Sequence, residues 1–392
     1  MSLGNSNDVI TLRNSGGTTI ASYDYAADDS GDNQSIARSD DSSAGFVKHT
    51  TIGTNPVKAS PGRKNVSNLP FNILTWAGTT NDWETDSNWS SGSKPTNSDD
   101  VIIPTGLSFY PTIEAGVNAA ANTISIASGT TLKIEETATL TAGITYNRTL
   151  TNGGQWYFMS APVIGETYDL NWTTANSIPA SSKNTNNIGI NTYDNTTFDI
   201  DTDGSEVDNT DTSTGNWSYL QSDDSNSDMF NKGQGYGVIR SGSGTVSFLG
   251  SGLYTATQEV GITQGASTHF NMVGNPFTAY LNLGDFFTDN AVPAILSEAS
   301  AWFWDGSTYQ TKTAMIDGSF EIAPAQGFFI SAGAASVSTT FDVGDLTHQS
   351  TDAFQRSSDT RPQIKLFVSN GKSSNYKKAI VSLKEGQSID FY

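Results

Sequence analysis

The feature that most constrains this chain is an internal repeat. Gln155-Trp156-Tyr157-Phe158-Met159-Ser160-Ala161-Pro162 returns in degenerate form as His269-Phe270-Asn271-Met272-Val273-Gly274-Asn275-Pro276. Two further blocks follow each copy in the same order. Tyr193-Asp194-Asn195-Thr196-Thr197-Phe198 stands against Trp304-Asp305-Gly306-Ser307-Thr308-Tyr309, then Gly233-Gln234-Gly235-Tyr236-Gly237-Val238 against Ala325-Gln326-Gly327-Phe328-Phe329-Ile330. Three blocks in one order identify a duplicated structural unit. The copies are offset by 114 residues at the first block, 111 at the second and 92 at the third, so the first copy carries 19 extra residues in its last interval. Each block is an aromatic or β-branched run closed by Pro, Asp-Asn, Asp-Gly or Gly, which reads as strand, hairpin, strand. We therefore expect Trp156–Gly250 and Phe270–Phe341 to form topologically equivalent halves of one sandwich-like unit. A helical turn is expected at Leu283–Asn290, with Ala291–Ser300 as a candidate continuation.

Composition sets the repeat in a wider all-β chain. At 392 residues there is room for two to four domains with cores of their own. Charged residues are only 15%, and the Ser, Thr, Asn and Gly that replace them, with many aromatics, suit strands and long turns better than helices. The expected fold is all-β, with several β-sandwich and β-solenoid-like modules in an elongated chain, one of them internally duplicated. Its segments are residues 1–68, a Trp-rich unit with short rungs at 69–145, the duplicated domain at 146–345, and a linker with the start of a further β module at 346–392. A net charge of −20 repels phosphates and argues against nucleic acid or anionic membrane as a partner. No apolar run approaches the ~20 residues of a membrane-spanning helix. Absence of cysteine excludes disulfides and thiolate metal sites. Met1-Ser2-Leu3 leads straight into a polar stretch and reads as the start of an excised segment.

Within residues 1–68, Val9-Ile10-Thr11-Leu12 and Ile20-Ala21-Ser22-Tyr23 read as two strands around Gly16-Gly17. With Gln34-Ser35-Ile36-Ala37-Arg38 and Ser60-Pro61-Gly62-Arg63-Lys64-Asn65, the segment resembles the second half of a lamin-tail domain, which implies part of an immunoglobulin-like sandwich. Trp76, Trp83, Asn88-Trp89, Pro95 and Asp99-Asp100-Val101-Ile102-Ile103-Pro104 resemble an opening found in surface proteins of Bacteroidetes-type bacteria. The alternation Ile124-x-Ile126, Leu132-x-Ile134 and Leu140 suggests short rungs of a β-solenoid or meander, too few to cap themselves. From Tyr146 to Val343 the chain resembles modules that precede the C-terminal sorting domain of secreted Bacteroidetes proteins. Met272-Val273-Gly274-Asn275-Pro276, Trp302-Phe303-Trp304-Asp305-Gly306, Gln326-Gly327-Phe328-Phe329 and Arg361-Pro362-Gln363-Ile364-Lys365-Leu366 carry that likeness. It implies an extracellular or outer-surface location, with other domains of a parent protein as partners, and brings no catalytic motif.

Chemistry is sparse. His49, His269 and His348 stand alone without zinc-ligand spacing, and no G-x-S-x-G elbow occurs. Gly233-Gln234-Gly235-Tyr236-Gly237 lacks the Lys and the helix of a phosphate loop and recurs as Gln326-Gly327, so it reads as a tight turn into a strand. Glu166, Glu259, Glu298 and Glu321 are the least loop-like carboxylates for a glycosidase pair, each also readable as a solvated strand or turn residue. Trp302, Trp304 and Tyr309 flank an Asp-Gly hairpin, where exposed rings would stack on sugar faces; core packing is the competing reading.

The acidic insertion of the first copy offers a candidate calcium loop. Asp199-x-Asp201-x-Asp203-Gly204 sets side-chain oxygens at alternate positions with a glycine for the sharp turn, and Asp208 or Asp211 would close the shell. Thr210 occupies the twelfth position, where a helical calcium loop has a bidentate Glu, and a solvated Asx-turn-rich loop is the alternative. Taken together, the sequence favours a non-catalytic accessory region of a large secreted or cell-surface bacterial protein, serving adhesion, spacing or surface-glycan binding. The alternative is an extracellular glycan-active enzyme using a carboxylate pair.

Overall fold

A computed structural model describes residues 8–14, 16–25, 36–38, 46–48, 51, 73–182, 186–198, 213–222, 228–349, 352, 354, 363–368 and 377–382. The chain divides into two compact units, Met1–Ile73 and Leu74–Tyr392. In the first, β1 (Asp8–Arg13) and β2 (Thr19–Tyr25) pair antiparallel, as do β3 (Ile36–Arg38) and β4 (Phe46–Lys48). The β1–β2 turn is made by Gly17, at φ +82°, and by Asn14, whose Oδ1 accepts from Thr18 N at 2.9 Å.

The second unit opens with β5 (Ile73–Thr75), β6 (Asp100–Ile103), β7 (Thr112–Ile113), β8 (Asn118–Ile126), β9 (Lys133–Ile134) and β10 (Thr139–Leu150). Strands β6, β8 and β10 run parallel, as do β7 and β9, so the expected rungs form a solenoid and not a meander. Their register explains the alternation in the sequence. Val101, Ile124 and Ile144 stack in one inward column and Ile103, Ile126 and Tyr146 in the next, all buried. A column of identical rungs has open ends. At the first, Trp76, Trp83 and Trp89 form a buried cluster, with Trp89 edge-on to the others at 4.9 and 4.7 Å, and Trp83 N bonds Thr112 O at 3.0 Å. The last rung, β10, passes through position 145/146, where a domain boundary was expected, and takes a strand of the first repeat copy as its antiparallel neighbour.

That copy comprises β11 (Trp156–Met159), β12 (Thr167–Tyr168), α1 (Leu170–Ala175), β13 (Asn187–Tyr193), β14 (Ser213–Thr214), β15 (Trp217–Gln221), β16 (Asp228–Met229), β17 (Tyr236–Ile239) and β18 (Gly244–Gly250). After β19 (Gln258–Ile262) the second copy follows as β20 (Phe270–Gly274), β21 (Tyr280–Asn282), α2 (Leu283–Asp289), β22 (Ser300–Trp304), β23 (Tyr309–Thr313), α3 (Ala314–Asp317), β24 (Glu321–Ile322), β25 (Gly327–Ser331) and β26 (Val337–Phe341). β27 (Leu346–Thr347) joins β21, and β28 (Gln363–Val368) pairs with β29 (Lys377–Ser382). Strand order is β11-β17-β13-β15-β14 in the first copy and β20-β25-β22-β23 in the second, so the halves share one topology. Tyr193 pairs with Trp217, 24 positions on, whereas Trp304 pairs with Tyr309, five positions on; the 19 extra residues therefore all lie in one hairpin loop. α2 forms where expected, with Asn282 Oδ1 accepting from Asp285 N at 3.0 Å as its N-cap. It does not continue through Ala291–Ser300: Asn290, fully buried, turns its Nδ2 onto Phe286 O and Thr340 O at 2.7 and 2.9 Å and ends the helix.

The two halves are sewn by reciprocal backbone contacts. Ser160 N donates to Ala325 O at 3.0 Å, and the equivalent Gly274 N donates to Gly233 O at 2.9 Å. Met159 bridges Gln326 and Val273 bridges Gln234. Gly233 (φ +64°) and Ala325 (φ +60°) occupy the same left-handed turn, so the recurring Gln-Gly block is a seam between copies, in keeping with the tight-turn reading.

The segment after β27 is fixed to the solenoid by His348, whose Nε2 lies 2.8 Å from Thr112 Oγ1 and Nδ1 2.6 Å from Thr131 Oγ1. Further on, Asp352 bonds the fully buried Arg148 at 2.5 Å, and the Arg148 guanidinium lies 4.1 Å from the Phe354 ring. Burial, with Lys133 nearby, pushes His348 down to about 4. An unfolded imidazole near 6.5 takes its proton first, so stability is complete above about pH 6.5 and is lost as pH falls toward 4, by on the order of 2 kcal/mol. Asp345 acts with opposite sign. Burial and the charges of Asp289, Asp285 and Asp342 raise it to about 7, so its contribution grows as pH falls below that value. Subtracting the melting profile of His348→Gln from that of the wild type isolates the imidazole: we expect a difference that shrinks between pH 6.5 and 4, and a flat difference would contradict the assignment.

Candidate functional site: an aromatic cleft between the repeat copies

In a strand, alternate side chains share a face, and register decides which neighbours they meet. Across the first copy's sheet the register aligns Phe158, Gly237, Asn191 and Tyr219. Across the second it aligns Met272, Phe329, Trp302 and Thr311 at the equivalent places. Where the second copy carries Phe329 and Trp302, the first carries Gly237 and Asn191. In the second copy the row is filled: Phe329 packs edge-on to Tyr193 at 4.8 Å and to Phe158 at 5.5 Å, and Trp302 packs on Phe270 at 5.0 Å. In the first copy the missing ring leaves a cleft of about 190 Å³.

Trp156, Phe158, Trp217 and Tyr219 of the first copy line one side, and Trp304 and Tyr309 of the second close the other. Trp304 lies nearly parallel to Phe158 at 6.1 Å, and Tyr309 sits 5.1 Å from Trp304. Asn191 completes the lining; it is only 5% exposed, and its Oδ1 has no hydrogen-bond partner. Trp304 Nε1 is likewise buried and unpaired. A buried polar atom left without a partner costs about 1–3 kcal/mol, so one orphan acceptor and one orphan donor on residues of the same lining are exceptions that call for an explanation. Gly237 makes this arrangement possible, because a Cβ there would collide with Asn191 Oδ1. Burial raises the Tyr219 hydroxyl above its ordinary range, partly offset by its hydrogen bond with Asn191, so it is neutral at physiological pH. No charged side chain lines the cleft among the described residues.

The structure brings together two of the three aromatics singled out in the sequence. Trp304 and Tyr309 line the cleft, whereas Trp302 is the ring that fills the equivalent place in the second copy. Trp156, Phe158, Asn191, Trp217 and Tyr219 were missed; the repeat set Phe198 against Tyr309, whereas strand pairing makes Trp217 the counterpart of Tyr309 across the insertion. The carboxylates considered for catalysis serve as local acceptors. Glu166 accepts from the backbone of Thr167 and Leu249, Glu259 from Thr340 Oγ1 at 2.9 Å, and Glu321 from Asn282 Nδ2 and Thr347 Oγ1 at 3.0 and 2.6 Å, while Glu298 is exposed. His269 is an exposed strand-edge residue. Asp199, Asp201, Asp203, Asp208 and Asp211 lie outside the described residues, and among those described no acidic or histidine group is placed to hold a metal. No helix of the described residues is long and apolar enough to cross a membrane.

Fold and cleft together define an all-β module with an internal duplication and an aromatic cleft where its halves meet. Residues 75–320, more than half of the chain, match a family described as a domain of unknown function (DUF8693), and the chain belongs to that family. Every cleft residue falls inside the matched span. No curated protein and no solved structure matches the chain.

Proposed function

We propose that this chain is a non-catalytic accessory region of a larger secreted or cell-surface protein, and that its aromatic cleft binds a saccharide. The observation that carries the reading is the pair of buried, unpaired polar atoms, Asn191 Oδ1 and Trp304 Nε1, set among aromatic faces. Sugars present apolar C–H faces that stack on such rings and hydroxyls that both donate and accept. Among the described residues the cleft lining holds no carboxylate, which supports binding over hydrolysis, since glycosidases place two carboxyl groups about 5–9.5 Å apart across the bond they cut. The extracellular setting, with other domains of the parent protein as neighbours, rests on the resemblance of Tyr146–Val343 to modules of secreted Bacteroidetes proteins; the cysteine-free composition suits a cytosolic or an extracellular protein alike.

A glycan array with the purified chain, run beside a hydrolysis screen on the same glycans, tests this reading. The expected result is saturable binding to a subset of glycans with no turnover. Turnover above background would instead support a glycan-active enzyme, and absence of binding from a folded sample would remove the proposal.

A further inference from the structure

We infer that the ligand of this cleft is an uncharged sugar, read one residue at a time. Resting on the saccharide reading above, the inference narrows it by charge and by size. Among the described residues the cleft has neither Lys, Arg nor His in its lining, and the chain carries a net charge of −20. A uronate or sulfate would thus enter an aromatic-walled site with nothing to pair its charge, in a field that repels it; an unpaired buried charge costs several kcal/mol. A neutral hydroxyl has the opposite fit. Its proton goes to Asn191 Oδ1, a neighbouring sugar oxygen accepts from Trp304 Nε1, and both buried orphans are satisfied at once. A quaternary ammonium would also find aromatic faces, but it has no acceptor for the Trp304 N–H and no donor for Asn191. At about 190 Å³ the cleft is smaller than the roughly 300–1,000 Å³ of pockets for drug-sized ligands, which leaves space for one ring and not for a chain.

The duplication supports the same conclusion. Only the first copy has Gly237 and Asn191 at the row that the second copy fills with Phe329 and Trp302, so the cleft is not repeated at the equivalent row of the second copy.

The test is a titration of intrinsic tryptophan fluorescence in the wild-type chain with methyl glycosides of glucose, galactose, mannose and N-acetylglucosamine. Glucuronate, galacturonate and tetramethylammonium are run in parallel. One or more neutral glycosides is expected to bind, the matching uronate at least about tenfold more weakly, and extension of the best sugar to its trisaccharide to change affinity by less than about threefold. A uronate that binds equally well, or a gain above about tenfold on extension, overturns the inference while leaving saccharide binding standing. Failure of every sugar, or a response to tetramethylammonium alone, overturns the saccharide reading and this inference with it. Asn191→Leu adds a readout that a structural role would not give. Because Asn191→Leu removes both the unpaired acceptor and the hydrogen bond with Tyr219, it is read against Tyr219→Phe, which removes only that bond: the sugar is expected to bind about tenfold more weakly to Asn191→Leu than to Tyr219→Phe, and equal affinities would overturn the assignment of the amide.

Discussion

Gly327→Ala is expected to cost at least about 3 kcal/mol and to lower the melting temperature by roughly 5–10 °C. The cause is backbone meeting backbone. A Cβ at Gly327 would lie 2.8 Å from Phe158 C and 2.9 Å from Met159 N, and neither atom belongs to a side chain that could swing aside. β11 would have to move off β25, opening the seam where Met159 bridges Gln326 and Ser160 bonds Ala325. That seam holds together the sheets whose faces make the cleft, so stability and site share it. Gly261→Ala is the matched control: it also lies in a strand, nothing stands within 4 Å of its added Cβ, and its effect is expected to stay within about 0.5 kcal/mol. Thermal unfolding of the pair decides the matter. Equal behaviour of the two variants would mean that the copies do not meet at Gly327.

The double substitution Gly237→Phe with Asn191→Trp is expected to abolish saccharide binding, a loss of at least about 100-fold, while shifting the melting temperature by no more than about 5 °C. It writes into the first copy the row the second copy already packs, Phe329 beside Trp302, so a filled cleft is compatible with this scaffold. The two changes belong together. Gly237→Phe alone would drive its Cβ into Asn191 Oδ1 and confound plugging with strain. A milder variant, Trp304→Phe, keeps a ring on Phe158 but removes the indole donor, and an affinity loss of about 5–10-fold with unchanged stability is expected from one neutral hydrogen bond in a buried site. Binding that survives both variants would place the sugar elsewhere.

Much of this fold was legible because the repeat aligned residues whose partners the sequence does not name. Matching Gln234 with Gln326 predicted equivalent halves, and the 19-residue excess mapped to a single hairpin loop because Asp194 and Asp305 open the same turn. The helix at Leu283 was legible from local chemistry, since Asn282 caps it and Phe286 and Phe287 supply its buried face. Its end was not, because Asn290 stops it by bonding Thr340, a residue 50 positions away. The same limit explains the site. Trp304 and Tyr309 stood out as aromatics beside an Asp-Gly turn, but the cleft depends on what faces them, and Phe158, Asn191 and Gly237 meet only through inter-strand register. Gly237 in particular looked like one more turn glycine. Its meaning emerges only beside Phe329, its counterpart in the other copy.

The most direct measurement is a crystal structure of the chain with the tightest-binding neutral methyl glycoside. The sugar ring is expected in the cleft, against the aromatic faces that line it, with one hydroxyl oxygen at about 2.5–3.2 Å from Asn191 Oδ1 and another oxygen at about 2.7–3.2 Å from Trp304 Nε1. A sugar bound at any other surface, with the cleft unchanged and both atoms still unpaired, would contradict the account.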